Sequence, residues 1–248
     1  MIKTLGIVEV PWQTAGLKDG FRRRLGGKTL VEWVARRVSD CQRLNGVILL
    51  VGDSEVDRQI AELAPTDVPV FTSRQPDPLG RYAAAIDEYT PEAVVRVTAD
   101  TPFVDAGLID RLVTTADGHA ECDYISYCCR DGQPAMLSPI GVHGEWVRAK
   151  TLRQAARRAT DPVDRKLVTR YIYAHPEDYC VRLIPAPHQL DRDDVRLAME
   201  GEDDWEHTQD IFDALGPDVD WQRIAGLLDH QPGLRLRMAT LNRTLGVR

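Results

Sequence analysis

Two acids stand where an apolar run stops. In "VVRVTADTP" (94–102) a run of buried-strand character leads to Asp100, and Pro102 forbids the strand to go on. In "DVRLAME" (194–200) the pattern repeats: an apolar strand, Glu200, then Gly201 and a helix start. Taken singly, an acid in such a place is a turn or cap residue that bonds nearby backbone. Taken together, two carboxylates leaving neighbouring strands point to a shared divalent cation. Mg2+ suits them, because it takes oxygen ligands and keeps several waters.

A second chemical feature lies between the first strand and the first helix. "LKDGFRRRLGGK" (17–28) carries Lys18, Arg22, Arg23, Arg24 and Lys28 against Asp19 alone. Cationic side chains and backbone N–H groups on a glycine-bearing loop suit a triphosphate. Lys18, Arg22 and Arg23 are the candidate catalytic cations. The stretch is not a P-loop, since G-x-x-x-x-G-K-[ST] is absent, and a solvated basic loop is the plainer alternative. Trp12 offers a face on which a base could stack, though packing is the plainer role for it too.

Positioning such groups requires a sheet, and the chain supplies the pattern for one. Apolar strand-like runs at 4–10, 46–52, 68–71, 93–98 and 124–127 alternate with helical patterns at 29–41, 55–63, 78–88 and 106–115. Asp105 is placed to cap the last of these helices. The alternation predicts an α/β fold: three layers around a doubly wound, mostly parallel sheet. Ligands of such sheets bind beyond the carboxyl ends of the strands, where Asp100 falls. After Cys128 the rhythm changes. A strand or hairpin is expected at 136–147, helices at 148–158 and 162–174, strands at 179–184 and 194–199, and an acidic-started helix at 202–215. No linker interrupts the chain, so one domain is expected, with a substrate or dimer segment at about 130–175.

Composition narrows the function. A formal net charge of −7 over 248 residues argues against a general nucleic-acid binder. No apolar run approaches the roughly 20 residues of a membrane span, and the start lacks a secretion signal, which implies a cytoplasmic protein. The five cysteines are odd in number and show no C-x-x-C, so reduced thiols are expected rather than a zinc site or a disulfide framework. Adjacent Cys128 and Cys129 are the redox candidate. His119, His175, His188, His207 and His230 show no ligand spacing.

In order along the chain, "LGGKTLVEWV", "PVFTSRQPDPLGRY", "VVRVTADTPFVDAGLIDRL", "ATDPVDRKLVTRYIYAHPEDY" and "VRLAMEGEDD" resemble the cytidylyltransferases of the spore-coat polysaccharide type. These are relatives of the 3-deoxy-manno-octulosonate and acylneuraminate cytidylyltransferases. The resemblance covers nearly the whole chain and implies a nucleotide-diphospho-sugar transferase type of fold. It implies that an acidic sugar's hydroxyl attacks the α-phosphate of CTP and that pyrophosphate leaves. It places Asp100 and Glu200 at the Mg2+ ligand positions, the second being usually Asp in the family. It also implies nucleotide binding by Asp77 and Arg81 of "DPLGRY", and a homodimer that pairs near 136–147.

Two departures accompany the resemblance. The family's R-x-G-S-x-R-L-P-x-K loop is replaced by "VPWQTAGLKDGFRRRLGGK", and Lys18 falls one position away from the expected lysine. The family's G-L-D-[VI]-E, which lines the sugar site, reads "GVHGE" (141–145), so His143 replaces a carboxylate and Glu145 keeps its place. His143 is a candidate general base or sugar contact, against a purely structural histidine. The favoured activity is Mg2+-dependent transfer of CMP from CTP to a sugar or sugar-like acid. The rival is a relative that kept the fold and lost catalysis, serving as a binding or scaffold subunit. A metal-dependent glycosyltransferase is less favoured, because no D-x-D motif stands near Asp100.

Overall fold

The computed structural model describes residues 2–11 and 20–244. Its strands are β1 Thr4–Glu9, β2 Arg24–Leu25, β3 Lys28–Thr29, β4 Val47–Val51, β5 Val70–Thr72, β6 Ala93–Thr98, β7 Tyr124–Cys128, β8 Glu145–Arg148 and β9 Val181–Pro185. Its α-helices are α1 Leu30–Ser39, α2 Glu55–Ala61, α3 Pro78–Tyr89, α4 Ala106–Gly118, α5 Ala149–Arg158, α6 Pro162–Lys166, α7 Arg170–Tyr173, α8 Asp204–Leu215, α9 Trp221–His230 and α10 Pro232–Thr244. Seven strands form one sheet in the order β5-β4-β1-β6-β8-β7-β9. All neighbours pair in parallel except around β8, which runs antiparallel to β6 and β7. The mostly parallel, doubly wound sheet expected from the sequence is thus present.

The three layers follow from side-chain alternation along the strands. Ile7, Leu50 and Val94 face one hydrophobic layer, which α3, α5 and α7 complete with Tyr82, Leu152 and Ile172. Val8, Leu49 and Val95 face the other, which α1, α4 and α8 to α10 complete with Trp33, Ile109, Ile211, Ile224 and Met238. Helix starts are set by side-chain caps. Thr29 accepts from the Glu32 N–H at the start of α1, Asp77 from Gly80 at α3, and Asp105 from Leu108 at α4. No described helix is long and apolar enough to cross a membrane.

Past β7 the structure departs from the periodic reading. The segment 194–199 is not a strand; its Leu197 and Ala198 N–H groups donate to the Pro139 carbonyl at 2.7 and 2.9 Å instead of to a ladder. Of 136–147 only Glu145 to Val147 join a strand; Pro139 within the segment lacks the N–H a ladder needs. The predicted helix over 162–174 breaks at buried Val168, whose φ is +56°, and so becomes α6 and α7. Helices α9 and α10 carry no expectation from the sequence.

Gly141 is where the segments meet. Its φ is +63°, and a Cβ there would lie 2.5 Å from the Ala198 nitrogen and 2.8 Å from its Cα. Only glycine admits both the conformation and the contact. Replacing Gly141 with Ala is therefore expected to cost about 2–4 kcal/mol. Urea denaturation against the unmutated protein measures it, and an unchanged midpoint would refute this account of the contact.

Candidate active site

Beyond the carboxyl ends of β1 and β6 opens a cavity of about 760 Å³. Its floor is one buried ion cluster. Arg96, in the middle of β6, donates from Nε to Glu9 at 3.1 Å and from Nη1 to Glu145 at 2.6 Å. Glu145 also accepts from the Tyr124 hydroxyl at 2.5 Å and the Thr169 hydroxyl at 2.8 Å. Burial alone would lower the Arg96 pKa, but the two carboxylates outweigh it and hold it well above its ordinary value. The guanidinium also lies over the Tyr82 ring, 5.9 Å from its centroid.

One lip of the cavity carries the two acids singled out by the sequence. The Met199 N–H donates to the Asp100 carbonyl at 2.7 Å, which brings Glu200 beside Asp100 without a shared ladder. Asp204 fixes the Glu200 backbone by accepting from the Glu200 and Gly201 N–H groups at 2.8 and 2.9 Å. Buried Arg196 holds Asp204 and reaches the Glu200 carboxylate at 3.0 Å. Burial pushes the Asp100 carboxyl up to about 6, against the pull of its Thr98 hydrogen bond.

These residues fit a divalent cation. Glu9, Asp77, Asp100, Glu145 and Glu200 line the cavity against Arg96, Arg165 and Lys166, a surplus of two acids. Burial raises the Asp100 pKa, and a bound cation would offset that cost by favouring the carboxylate. Among the described residues no three His, Cys, Asp or Glu side chains form a ready ligand cage. A cation here would thus complete its shell with water and ligand oxygens, as Mg2+ commonly does.

The opposite wall comes from α3 and α6. Asp77 caps α3 and pairs with Arg165 at 2.9 Å, and both line the cavity. Lys166 lines it too, without an ion pair among the described residues. Arg81 does not line it. Its Nε donates to the Gln75 carbonyl at 3.1 Å within the chain before α3.

The remaining expected residues are dispersed. Arg22 donates to Gln59 at 2.9 Å, while Arg23 pairs with Glu202 and covers the Trp205 ring, and neither lines the cavity. Lys18 and Trp12 lie outside the described residues. His143 lines a chamber of about 90 Å³ shared with Asp100 and Glu200, and does not line the 760 Å³ cavity. Burial depresses its pKa to about 3, so the ring is neutral at pH 7, packed 4.9 Å from Tyr127. Glu145 is at the cavity floor, as a buried ion-pair partner rather than a free carboxylate.

Sequence reasoning passed over Glu9, Arg96, Arg165, Lys166 and Thr169. A signal existed for each. Arg96 is a lone cation inside an apolar strand, and Glu9 closes a strand much as Asp100 does. Arg165, Lys166 and Thr169 fall in "ATDPVDRKLVTRYI", a stretch picked for its resemblance and given no role.

Residues 21–189 match the family model of the MobA-like NTP transferase domain. The chain belongs to that family. It is also 26% identical over 237 residues to the spore coat polysaccharide biosynthesis protein SpsF of Bacillus subtilis, covering 92% of this chain and 95% of that protein. A cytidylyltransferase structure from Leptospira borgpetersenii superposes with a TM-score of 0.84 at 18% identity, covering 94% of this chain and 97% of that one. A CMP:2-keto-3-deoxy-manno-octonic acid synthetase complexed with CTP follows the same fold, with a TM-score of 0.64 at 9% identity, covering 86% and 99%. The resemblance read from the sequence is borne out: this family member is homologous to SpsF and has the fold of cytidylyltransferases.

The Asp100 environment has a consequence for stability. A carboxyl whose folded pKa is raised stabilises the fold below its unfolded value, near 3.8, and that contribution is lost as pH rises through about 6. Because the group opens onto the cavity, the loss should be about 1–2 kcal/mol in metal-free protein. Asp100→Asn should remove it, so the stability difference between the two proteins should change between about pH 4 and pH 7. Denaturation series at both pH values measure this; parallel curves would contradict the assigned environment.

Proposed function

We propose that the protein transfers CMP from CTP to a hydroxyl of a sugar or sugar-like acid, with Mg2+, releasing pyrophosphate. The observation that carries this reading is the placement of Asp100 and Glu200 on one lip of an acid-rich cavity beyond the carboxyl ends of the strands. Kinship with SpsF and the fold shared with a CTP-bound synthetase support it.

In this reaction an acceptor oxygen bonds to the α-phosphorus as the bond to the pyrophosphate oxygen breaks. Positioning and charge neutralisation carry most of such a transfer. Asp100 and Glu200 would hold Mg2+, which when bound neutralises charge on the phosphates. Lys166 and Arg165 face the same space and would steady anionic groups, the acceptor's carboxylate or the leaving pyrophosphate. Buried Arg96 would keep the floor rigid beneath them.

A second reading is favoured by the placement of Arg22 and Arg23 away from the cavity. In it the protein binds CTP and does not turn it over. Pyrophosphate release, measured with each nucleoside triphosphate and a panel of acidic sugars, separates the two. The catalytic reading expects turnover with CTP that falls roughly 30- to 1,000-fold in Asp100→Asn and Lys166→Ala, the loss of about 2–4 kcal/mol of transition-state stabilisation. Calorimetric CTP binding without turnover would establish the second reading. The loop is tested by the alanine variant of Lys18, Arg22 and Arg23 together, whose full activity would rule out a phosphate role for these residues.

We also propose a homodimer. Residues 140–147 are buried within the chain, so the contact would use the neighbouring turn, where Leu137 exposes 45% of its surface. Light scattering at micromolar concentration should give twice the chain mass of 27.8 kDa, and the chain mass itself would dismiss the idea.

A further inference from the structure

Two thiols with no telling spacing in the sequence meet at the end of the sheet opposite the cavity. Cys122 precedes β7 and Cys180 precedes β9, 58 positions apart, with their sulfurs 3.6 Å from one another. The backbones that carry them are locked together. The Asp123 N–H donates to the Cys180 carbonyl at 2.9 Å, and the Cys180 N–H donates to the Asp123 carboxylate at 3.0 Å. Thr151 holds the other oxygen of that carboxylate at 2.6 Å. Beyond them β7 and β9 pair in parallel from Tyr124 opposite Val181. Closing the sulfurs from 3.6 Å to the disulfide distance of about 2.05 Å is therefore a short movement between two paired backbones.

The two thiols also differ in the way a two-step exchange requires. Cys180 is exposed, open to attack on a small reagent, and Cys122 is buried behind it. Burial and the neighbouring Cys180 push the Cys122 thiol up to about 11, so it is the slower nucleophile. Cys128 and Cys129 are adjacent in the chain and have no such opposed partner strand holding their sulfurs together.

We propose that Cys122 and Cys180 form a reversible disulfide with a low-molecular-weight disulfide, of the oxidised glutathione class, as oxidant. The Cys180 thiolate attacks one sulfur of the reagent; the reagent's S–S bond breaks and one thiolate leaves. The Cys122 thiolate then attacks the Cys180 sulfur of the mixed disulfide and expels the second. Two cysteine thiols are oxidised, one disulfide is reduced to two thiols, and the two cysteine protons end on the released thiols.

The bridge ties the edge strand β9 to β7 and closes a loop containing β8, α5, α6 and α7. That loop supplies Glu145, Arg165, Lys166 and Thr169 to the cavity. Closing so long a loop restricts the unfolded chain, so the oxidised protein should melt several degrees higher.

The experiment incubates the full chain with oxidised glutathione, then combines thiol titration after unfolding, intact mass, peptide mapping and thermal melting. The expected result is loss of two of five thiols, a mass lower by two hydrogen atoms, a peptide link between Cys122 and Cys180, and a raised melting temperature that dithiothreitol reverses. Cys122→Ser should stop at a stable glutathione adduct on Cys180, and Cys180→Ser should form neither adduct nor bridge at this pair. Unmutated protein that keeps glutathione on Cys180, retains both thiols where a dithiol peptide is fully oxidised, or links Cys128 to Cys129 instead would overturn the proposal.

Discussion

The guanidinium of Arg96 is the constraint on which the rest of the molecule leans. It sits on the central strand β6 and joins β1 through Glu9 to β8 through Glu145. Withdrawing three charged groups from water costs several kcal/mol per ion, and only close geometry offsets that. The offset is visible in the hydroxyls of Tyr124 and Thr169, which use the second oxygen of Glu145. Losing Arg96 would strand two buried carboxylates, at a cost on the order of 3–5 kcal/mol. The floor's charged groups are committed to one another, which leaves them poorly available for chemistry.

The lip has the opposite character. Asp100 and Glu200 are held by their backbones, through Met199 and Asp204, while Asp100 makes no ion pair among the described residues and burial raises its pKa. Glu200 shares Arg196 with Asp204 and keeps 44% of its side chain exposed. A floor whose carboxylates are tied to Arg96, beside a lip whose Asp100 makes no ion pair among the described residues, is the arrangement in which a divalent ion would be favoured at the lip.

Much of this was legible in the sequence, for reasons that can be given residue by residue. β1, β4 and β6 are apolar runs that burial on both faces demands, and the Asp105 cap of α4 sits where a side-chain acceptor was needed. Asp100 and Glu200 do meet, though the second reaches its place on a loop carbonyl and not on a strand, a distinction invisible to an apolar pattern. β8 was expected only as part of a strand or hairpin over 136–147, because four residues carry no period and Gly144 and Pro139 precede them. The break at Val168 runs against local preference, since a β-branched residue disfavours positive φ; tertiary contacts override it. Arg96 was in view as a cation among valines, but its partners Glu9 and Glu145 lie 87 and 49 positions away. Cys122 and Cys180 share that difficulty: sequence spacing says nothing about what two parallel strands set side by side.

The antiparallel β8 has one more implication, for how such a protein can change over time. In most doubly wound sheets the ligand-contacting loops hang outside a core that folds without them, so recognition can drift while the scaffold stays. Here β8 lies between β6 and β7, and the same four-residue strand supplies both the missing ladder and Glu145. Recognition and folding are written on the same residues. Variation in ligand choice is therefore channelled away from β8, toward the half-exposed wall around Arg165 and Lys166, where a side chain can be exchanged without opening the sheet.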